Sequence, residues 1–300
     1  MSNTIETAAE LQGLRLRPRR NWAHKILDFA KRKPIGAIGG VILIGMWMMA
    51  IFADFIVPYD PLALHPRDKL IPPDSMYLMG TDYLGRDVLS RVIAGAKVSM
   101  YVGIMTVLIG TGIGSVLGQF SGYFRGTFDL LLQRLIDAIQ AFPSLILALA
   151  IVAMLGPSLE NAIIAIAFLN ASNASRVIRG TTMSINENQY VDAARAIGAS
   201  HLRILTRYIF PNVTAPILIL ASVTLGNSIL VEASLSFLGL GTQPPTPSWG
   251  RMLSSEGRFY MEIAPWLAIW PGVAISMAVL GINMFGDALR DVLDPKLRGR

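Results

Sequence analysis

The sequence predicts an all-α integral membrane protein with six transmembrane helices. Three observations predict it: a composition short of charge, six apolar runs without a charged residue, and a one-sided distribution of lysine and arginine. Of the 300 residues, 53% are hydrophobic and 15% charged, with a mean hydropathy of +0.50. Soluble domains carry about 25% charged residues, so the missing charge points to a lipid environment.

The apolar runs are 35–52, 98–120, 138–155, 161–175, 212–231 and 263–286. The first has 18 residues, close to the roughly 20 that a helix needs to cross the hydrocarbon layer. Residues 1–34 before it are polar and basic, with Arg15, Arg17, Arg19, Arg20, Lys25, Lys31, Arg32 and Lys33. A cleaved leader would have a shorter apolar core nearer the start, so 35–52 is read as a retained span and 1–34 as a cytoplasmic leader. In the second run Gly110, Gly114 and Gly118 recur four apart. Such small-residue spacing lets helices approach closely, within the chain or against a partner.

The third run contains Pro143 and the fifth contains Pro216, each predicting a kink near a membrane edge. The fourth is short and ends in Asn170, Ser172 and Asn173, polar groups that a span tolerates facing other helices or a wet cavity. Glu232 and Asp54 lie at outer span ends, where hydration or pairing is expected, and Asp137 is placed to reach Arg134 one turn back as a structural pair. The chain thus divides into the leader 1–34, a first span with a long outer loop (35–97), a core 98–286 and a cytoplasmic tail 287–300.

With both termini inside, the cytoplasmic segments hold 19 of the 26 lysines and arginines and the outer segments hold 7. This bias fixes the orientation. It also explains the net charge of +6 without nucleic acid. The absence of cysteine excludes disulfides and thiolate metal sites, and His24, His65 and His201 are too scattered for a metal cluster. No cofactor is implied.

Between the fourth and fifth runs lies a charged island, 189–216, reading QYVDAARAIGASHLRILTRYIFPNVTAP. Tyr190, Ala193, Ala194 and Ile197 share one helical face, and Leu202, Leu205 and Ile209 share another after a break. Gly198 sits near the break and Ser200 is a fitting N-cap for the second helix. A face of alanine and glycine lets another protein approach the backbone, with Arg195, Arg203 and Arg207 around it. The spacing by itself fits an amphipathic cytoplasmic linker equally well.

Asp192-Ala193-Ala194, then Gly198, then Pro211 resembles the EAA loop of permease subunits of bacterial ABC importers, the helix pair that fits a cleft of the ATPase. The chain departs from that pattern at Asp192, Tyr208 and Phe210, keeping charge at the first and apolar character at the others. Two outer stretches extend the likeness. Residues 80–93, GTDYLGRDVLSRVI, place Leu84, Val88, Leu89, Val92 and Ile93 on one face and Asp87 four residues before Arg91, predicting an amphipathic helix along the membrane surface. Residues 239–250, GLGTQPPTPSWG, predict a stiff, shaped loop. With the ending GDALRDVLDP at 286–295, these resemble the second permease subunit of the dipeptide, oligopeptide and nickel importers, over nearly the whole chain from about Pro34.

The resemblance implies a type I ABC importer permease fold in the bacterial inner membrane. It implies as partners a second homologous permease, two cytoplasmic ATPases and an extracytoplasmic binding protein. The chain would not be an enzyme, and it has no Gly-x-x-x-x-Gly-Lys-Ser/Thr phosphate loop. The coupling residues implied are Asp192, Ala193, Ala194, Arg195, Ile197, Gly198, Leu202, Leu205 and Pro211: the alanines and glycine for close seating, Asp192 and Arg195 for register, Leu202 and Leu205 to anchor the lever to the membrane domain. The loop motifs favour a dipeptide cargo, with oligopeptide or nickel open. An ion-gradient-driven transporter would be expected to show an inverted repeat and an acid near mid-span, neither of which is seen. A scaffold without transport would leave the polar fourth run and both outer loops without a purpose.

Overall fold

The computed structural model describes residues 29–293, so much of the expected leader and half of the expected tail lie outside the described residues. In chain order the helices are α1 (Pro34–Ile51), α2 (Ala53–Ile56), α3 (Val88–Thr106), α4 (Gly112–Phe124), α5 (Gly126–Gln140), α6 (Ser144–Leu155) and α7 (Leu159–Asn186). They continue with α8 (Gln189–Ala196), α9 (His201–Ile204), α10 (Phe210–Phe237), α11 (Trp249–Leu253), α12 (Ser255–Phe259) and α13 (Trp266–Leu293). π-helical turns at Val107–Thr111 and Leu205–Ile209 join α3 to α4 and α9 to α10. Every regular element among the described residues is helical.

Among the described residues, four helices are long and apolar enough to cross a membrane: α1, the 37-residue stretch 88–124, the 37-residue stretch 201–237, and α13. A fifth candidate is α5 with α6, bent by 91°. The expected run 138–155 is therefore not one straight helix. Pro143 has no N–H to continue α5 and disfavours helix at Phe142, so the chain turns there. At 12 residues, α6 is about 18 Å long, less than the roughly 30 Å hydrocarbon layer. Pro216 breaks nothing, since α10 runs continuously past it.

The fourth run extends well beyond its expected end, into the 28-residue α7. What lets it continue is a set of partners for its charges. Arg179 binds Asp129 of α5 at 2.5 and 2.6 Å, and Arg176 binds Asp137. Asp137 thus pairs across to α7, in place of the expected Arg134. Asn170 of the same helix is buried and donates to Ser228 Oγ of α10 at 3.0 Å.

The glycine spacing packs the chain against itself. A Cβ on Gly110, Gly118 or Gly122 would lie 2.5–2.6 Å from the carbonyl oxygen of Ala167, Ser175 or Arg179, and one on Gly114 would strike the carbonyl of Ala171. Each glycine four residues on meets a carbonyl four residues on, so α4 and α7 run parallel with their backbones in contact, and the stripe includes Gly122 beyond the expected run.

The outer face is more ordered than a surface connector. Asp87 N-caps α3, accepting from Ser90 N at 2.8 Å, and α3 then runs without a break into the span. Residues 84–93 form no separate surface helix, because Val88, Val92, Ile93 and Arg91 are all buried. Asp82, itself buried, accepts from Leu84 N, Arg86 N and Arg86 Nε at 2.6–2.9 Å and has Arg91 Nε at 3.6 Å. Burial, and then the hydrogen bond donated to Asp68, push the Tyr77 phenol above its ordinary pKa. Two indoles fix the loops: Trp266 Nε1 donates to Thr81 O at 3.1 Å and the buried Trp249 donates to Val92 O at 2.9 Å.

Asp54 is exposed and pairs with Lys97 at 2.7 Å. Glu232 is not hydrated at the outer end of α10, because it is fully buried. Its carboxyl accepts from Ser236 Oγ at 2.7 Å, Ser99 Oγ at 3.3 Å and Thr242 Oγ1 at 3.4 Å. These hydroxyls come from α3, α10 and the 239–250 loop, so one carboxyl ties the loop to two helices. Glu232→Leu strands the hydroxyls and is expected to destabilise the purified protein by about 3 kcal/mol in thermal unfolding. Glu232→Gln keeps an acceptor and is expected to remain within about 1 kcal/mol of the parent. Equal unfolding of the two variants would contradict this role.

Candidate functional site

The charged island folds as two short helices on a rigid hinge. Helix α8 ends in a Schellman motif: Ala199 N donates to Ala194 O at 3.0 Å and Gly198 N to Arg195 O at 2.9 Å, with Gly198 in the left-handed region at φ +79°. A side chain there would be strained, which is why glycine ends the helix. Ser200 then N-caps α9, accepting from Arg203 N at 3.4 Å, as its sequence position predicts.

The buried face differs from the expected one. Val191 and Ala194 of α8 pack with Ile204, Leu205, Ile209, Val213 and Tyr123 in one apolar cluster. Ala194 therefore faces inward and is not free for close seating by another protein, and the outward small residues are Ala193 and Gly198. Leu205 and Ile204 are buried in this cluster, whereas Leu202 is 68% exposed and faces away. Ile197 is 80% exposed. Asp192, Arg195 and Pro211 are exposed as well. Ile197 and Leu202 thus flank a side-chain-free Gly198 that has nothing within 4 Å of a Cβ built on it.

Arg195 works inside the segment. It donates to Asp192 Oδ1 at 2.7 Å, to Asn186 at the end of α7, and lies 5.8 Å over the Tyr123 ring. Tyr123 Oη shares a 2.8 Å hydrogen bond with His201 Nδ1. The island is therefore tied to α7, to α4 and, through the π-helical turn, to α10. Tyr123 and Asn186 were not legible as site residues; Tyr123 follows Gly122, and extending the glycine stripe by one turn would have led to it. Among the described residues no group of three or more His, Asp or Glu is placed to hold a metal.

Comparison with known proteins bears on this arrangement. Residues 110–299 match the model of the family "binding-protein-dependent transport system inner membrane component", and residues 28–73 match the N-terminal transmembrane domain of oligopeptide transport permease C. The chain is 41% identical over 268 residues to the dipeptide transport system permease protein DppC of Alkalihalophilus pseudofirmus, covering 89% of this chain and 88% of that one. It is 42% identical over 277 residues to the glutathione transport system permease protein GsiD of Escherichia coli O6:K15:H31, covering 92% and 91%. Its fold is similar to a chain of the inward-facing MetNI methionine ABC transporter, with TM-score 0.58 at 17% identity, covering 69% of this chain and 97% of that one.

Proposed function

Since this chain belongs to the binding-protein-dependent inner membrane transport components, in their peptide and glutathione permease branch, we propose that it forms half of the channel of an ATP-driven importer of short peptides. It is a multi-pass, non-catalytic permease of a bacterial ABC transporter. In this reading two cytoplasmic ATPases seat on the island, a second permease completes the channel, and an extracytoplasmic binding protein delivers cargo. Six spans cross the inner membrane with both termini cytoplasmic: α1, 88–124, the bent α5–α6, α7, 201–237 and α13.

The observation that carries the coupling role is the exposed apolar pair, Ile197 and Leu202, held out around Gly198 on an otherwise charged loop. Exposed apolar patches rimmed by polar groups mark interaction sites, and the Schellman hinge with the Arg195 contacts keeps the patch rigid. ATPase closure would move α8 and α9 as a lever. That motion passes to α7 and α10 directly and to α4 through Tyr123, exchanging inward for outward access. Asp192 and Arg195 preserve the lever's shape in this scheme, and Ala193 with Gly198 admits the partner.

The DppC and GsiD relatives are by name permeases for a dipeptide and for glutathione, so a short peptide is the shared cargo chemistry, with a dipeptide as first choice. Copurification tests the assembly. A tagged chain solubilised mildly is expected to bring down a second permease and at least one ATPase. Recovery of this chain by itself, with uptake that persists without ATP and follows an ion gradient, would overturn the reading.

A further inference from the structure

The first and last helices meet at their cytoplasmic ends in a groove that the coupling role does not use. Phe29, before α1, meets the Phe285 ring of α13 edge-on, with centroids 6.5 Å apart. Two turns on, the helices touch, and a Cβ on Gly36 would overlap the Ala288 side chain. Beside these contacts lies an open cavity of about 410 Å³. Its lining is mixed: Arg32, Lys33, Asp287 and Asp291 are charged, and Ile35 and Met284 are apolar.

The apolar runs set its level in the membrane. The first begins at residue 35 and the last ends at 286, so the four charged residues lie just outside the hydrocarbon and the apolar wall just inside it. A groove between two spans at that level meets lipid head groups and the start of their chains. Ile35 is 65% exposed and Ile38, one turn deeper, 56%, so an apolar track leads from the cavity into the bilayer. A soluble ion would have no use for that track.

Pairing between the helices uses half of the charge. Lys33 Nζ donates to Asp291 Oδ2 at 2.6 Å. Arg32 and Asp287 are exposed, and neither has an ion-pair partner among the described residues. The four charges sum to zero, so an anionic head group finds as many carboxylates as cations. A head group carrying both signs is the match. The guanidinium fork fits a phosphate, and a carboxylate accepts from an ammonium.

We propose that this groove binds an inner-leaflet phospholipid with an ethanolamine head group, its phosphate on Arg32, its ammonium on Asp287 and one chain laid past Ile35 and Ile38. The Lys33–Asp291 pair joins the two helix ends beside it. The proposal uses the membrane placement of α1 and α13 and is independent of the cargo.

The purified full-length chain, with any subunits that accompany it, is placed in phosphatidylglycerol nanodiscs carrying a trace of one photoactivatable lipid. Diazirine-bearing phosphatidylethanolamine is expected to label 29–40 and 280–293 about fivefold more than the phosphatidylcholine or phosphatidylglycerol probe, as mapped by mass spectrometry. The choline head has the same two charges but no N–H, which isolates the bond to Asp287. Asp287→Asn is expected to bring ethanolamine labelling down to the choline level. Arg32→Gln is expected to lower both zwitterionic probes about fivefold, the scale of one exposed charge pair. Arg290→Gln, exposed on α13 and outside the cavity lining, is expected to change nothing. Equal labelling by all three lipids would mean annular lipid only, and strongest labelling by phosphatidylglycerol would mean an anion site. Either result overturns the proposal, as does unchanged ethanolamine labelling of the Asp287→Asn chain.

Discussion

Cells expressing a Gly114→Leu chain are expected to hold several-fold less of the protein in their membranes than cells expressing the parent, because a destabilised chain is cleared faster by proteolysis. A Cβ at Gly114 meets both the Ala171 carbonyl and the Ala174 side chain, the latter at 2.7 Å. Neither can swing aside, because both belong to the backbone surface of a continuous helix. The substitution therefore separates α4 from α7 along the whole glycine stripe. Overpacking of a well-fitted core typically costs 1–3 kcal/mol, and about 3 kcal/mol or more is expected where backbone meets backbone. Against a total stability of about 5–15 kcal/mol this is severe. Gly112 supplies the control on the same helix: nothing lies within 4 Å of a Cβ built there, and Gly112→Leu is expected to accumulate normally. Quantitative immunoblotting of washed membranes reads both, and equal levels of the two variants would contradict the parallel α4–α7 packing.

Gly198→Trp is expected to act chiefly on transport, lowering membrane levels far less than Gly114→Leu does while removing transport. Space around Gly198 is open and the residue is exposed, with nothing within 4 Å of a Cβ built there, so a side chain starts out into open space. The cost inside the chain is a strained left-handed residue, about 1–2 kcal/mol. A bulky group in the centre of a docking patch costs upward of about 2 kcal/mol, roughly 30-fold in affinity, so ATPase retention on the purified permease should fall by that order. Gly198→Asn separates the two effects. Asparagine tolerates the left-handed region and is small, so it should retain most of the uptake. Normal peptide uptake by the tryptophan variant would remove the island from the coupling machinery.

Much of this architecture was legible from the chain alone because a membrane imposes simple rules. Hydrocarbon demands long apolar helices, which periodicity and charge counting reveal. The glycine spacing announced close packing, and Gly198 and Ser200 announced the break between α8 and α9. What could not be read concerns which side of a short helix faces which neighbour. Ala194 and Ala193 are the same residue type one position apart, and only the cluster under Val191 decides that one is buried and the other free. Leu202 and Leu205 were grouped by helical spacing, yet the π-helical turn beginning at Leu205 changes the phase, so the first points away and Ile204 takes the inner place.

The acids carry the same lesson. Asp137 has an arginine one turn away in sequence and another on α7, and the fold selects the second because the bend at Pro143 carries α5 alongside that helix. Glu232, near a span end, could have been wet. Its burial among hydroxyls results from a loop folding back over it, an arrangement with no local signature.

By itself, the sequence determined the membrane class, the orientation expected from basic residues, the helical runs, the hinge glycine and the lack of an internal ATP site, since all of these rest on local composition or short-range spacing. Only the tertiary structure decided the α4–α7 register, the inward and outward faces of the charged island, and the partners of Asp137 and Glu232. Those depend on contacts between residues tens to more than a hundred positions apart, which become defined when the helices close on one another and each buried polar group must find a partner.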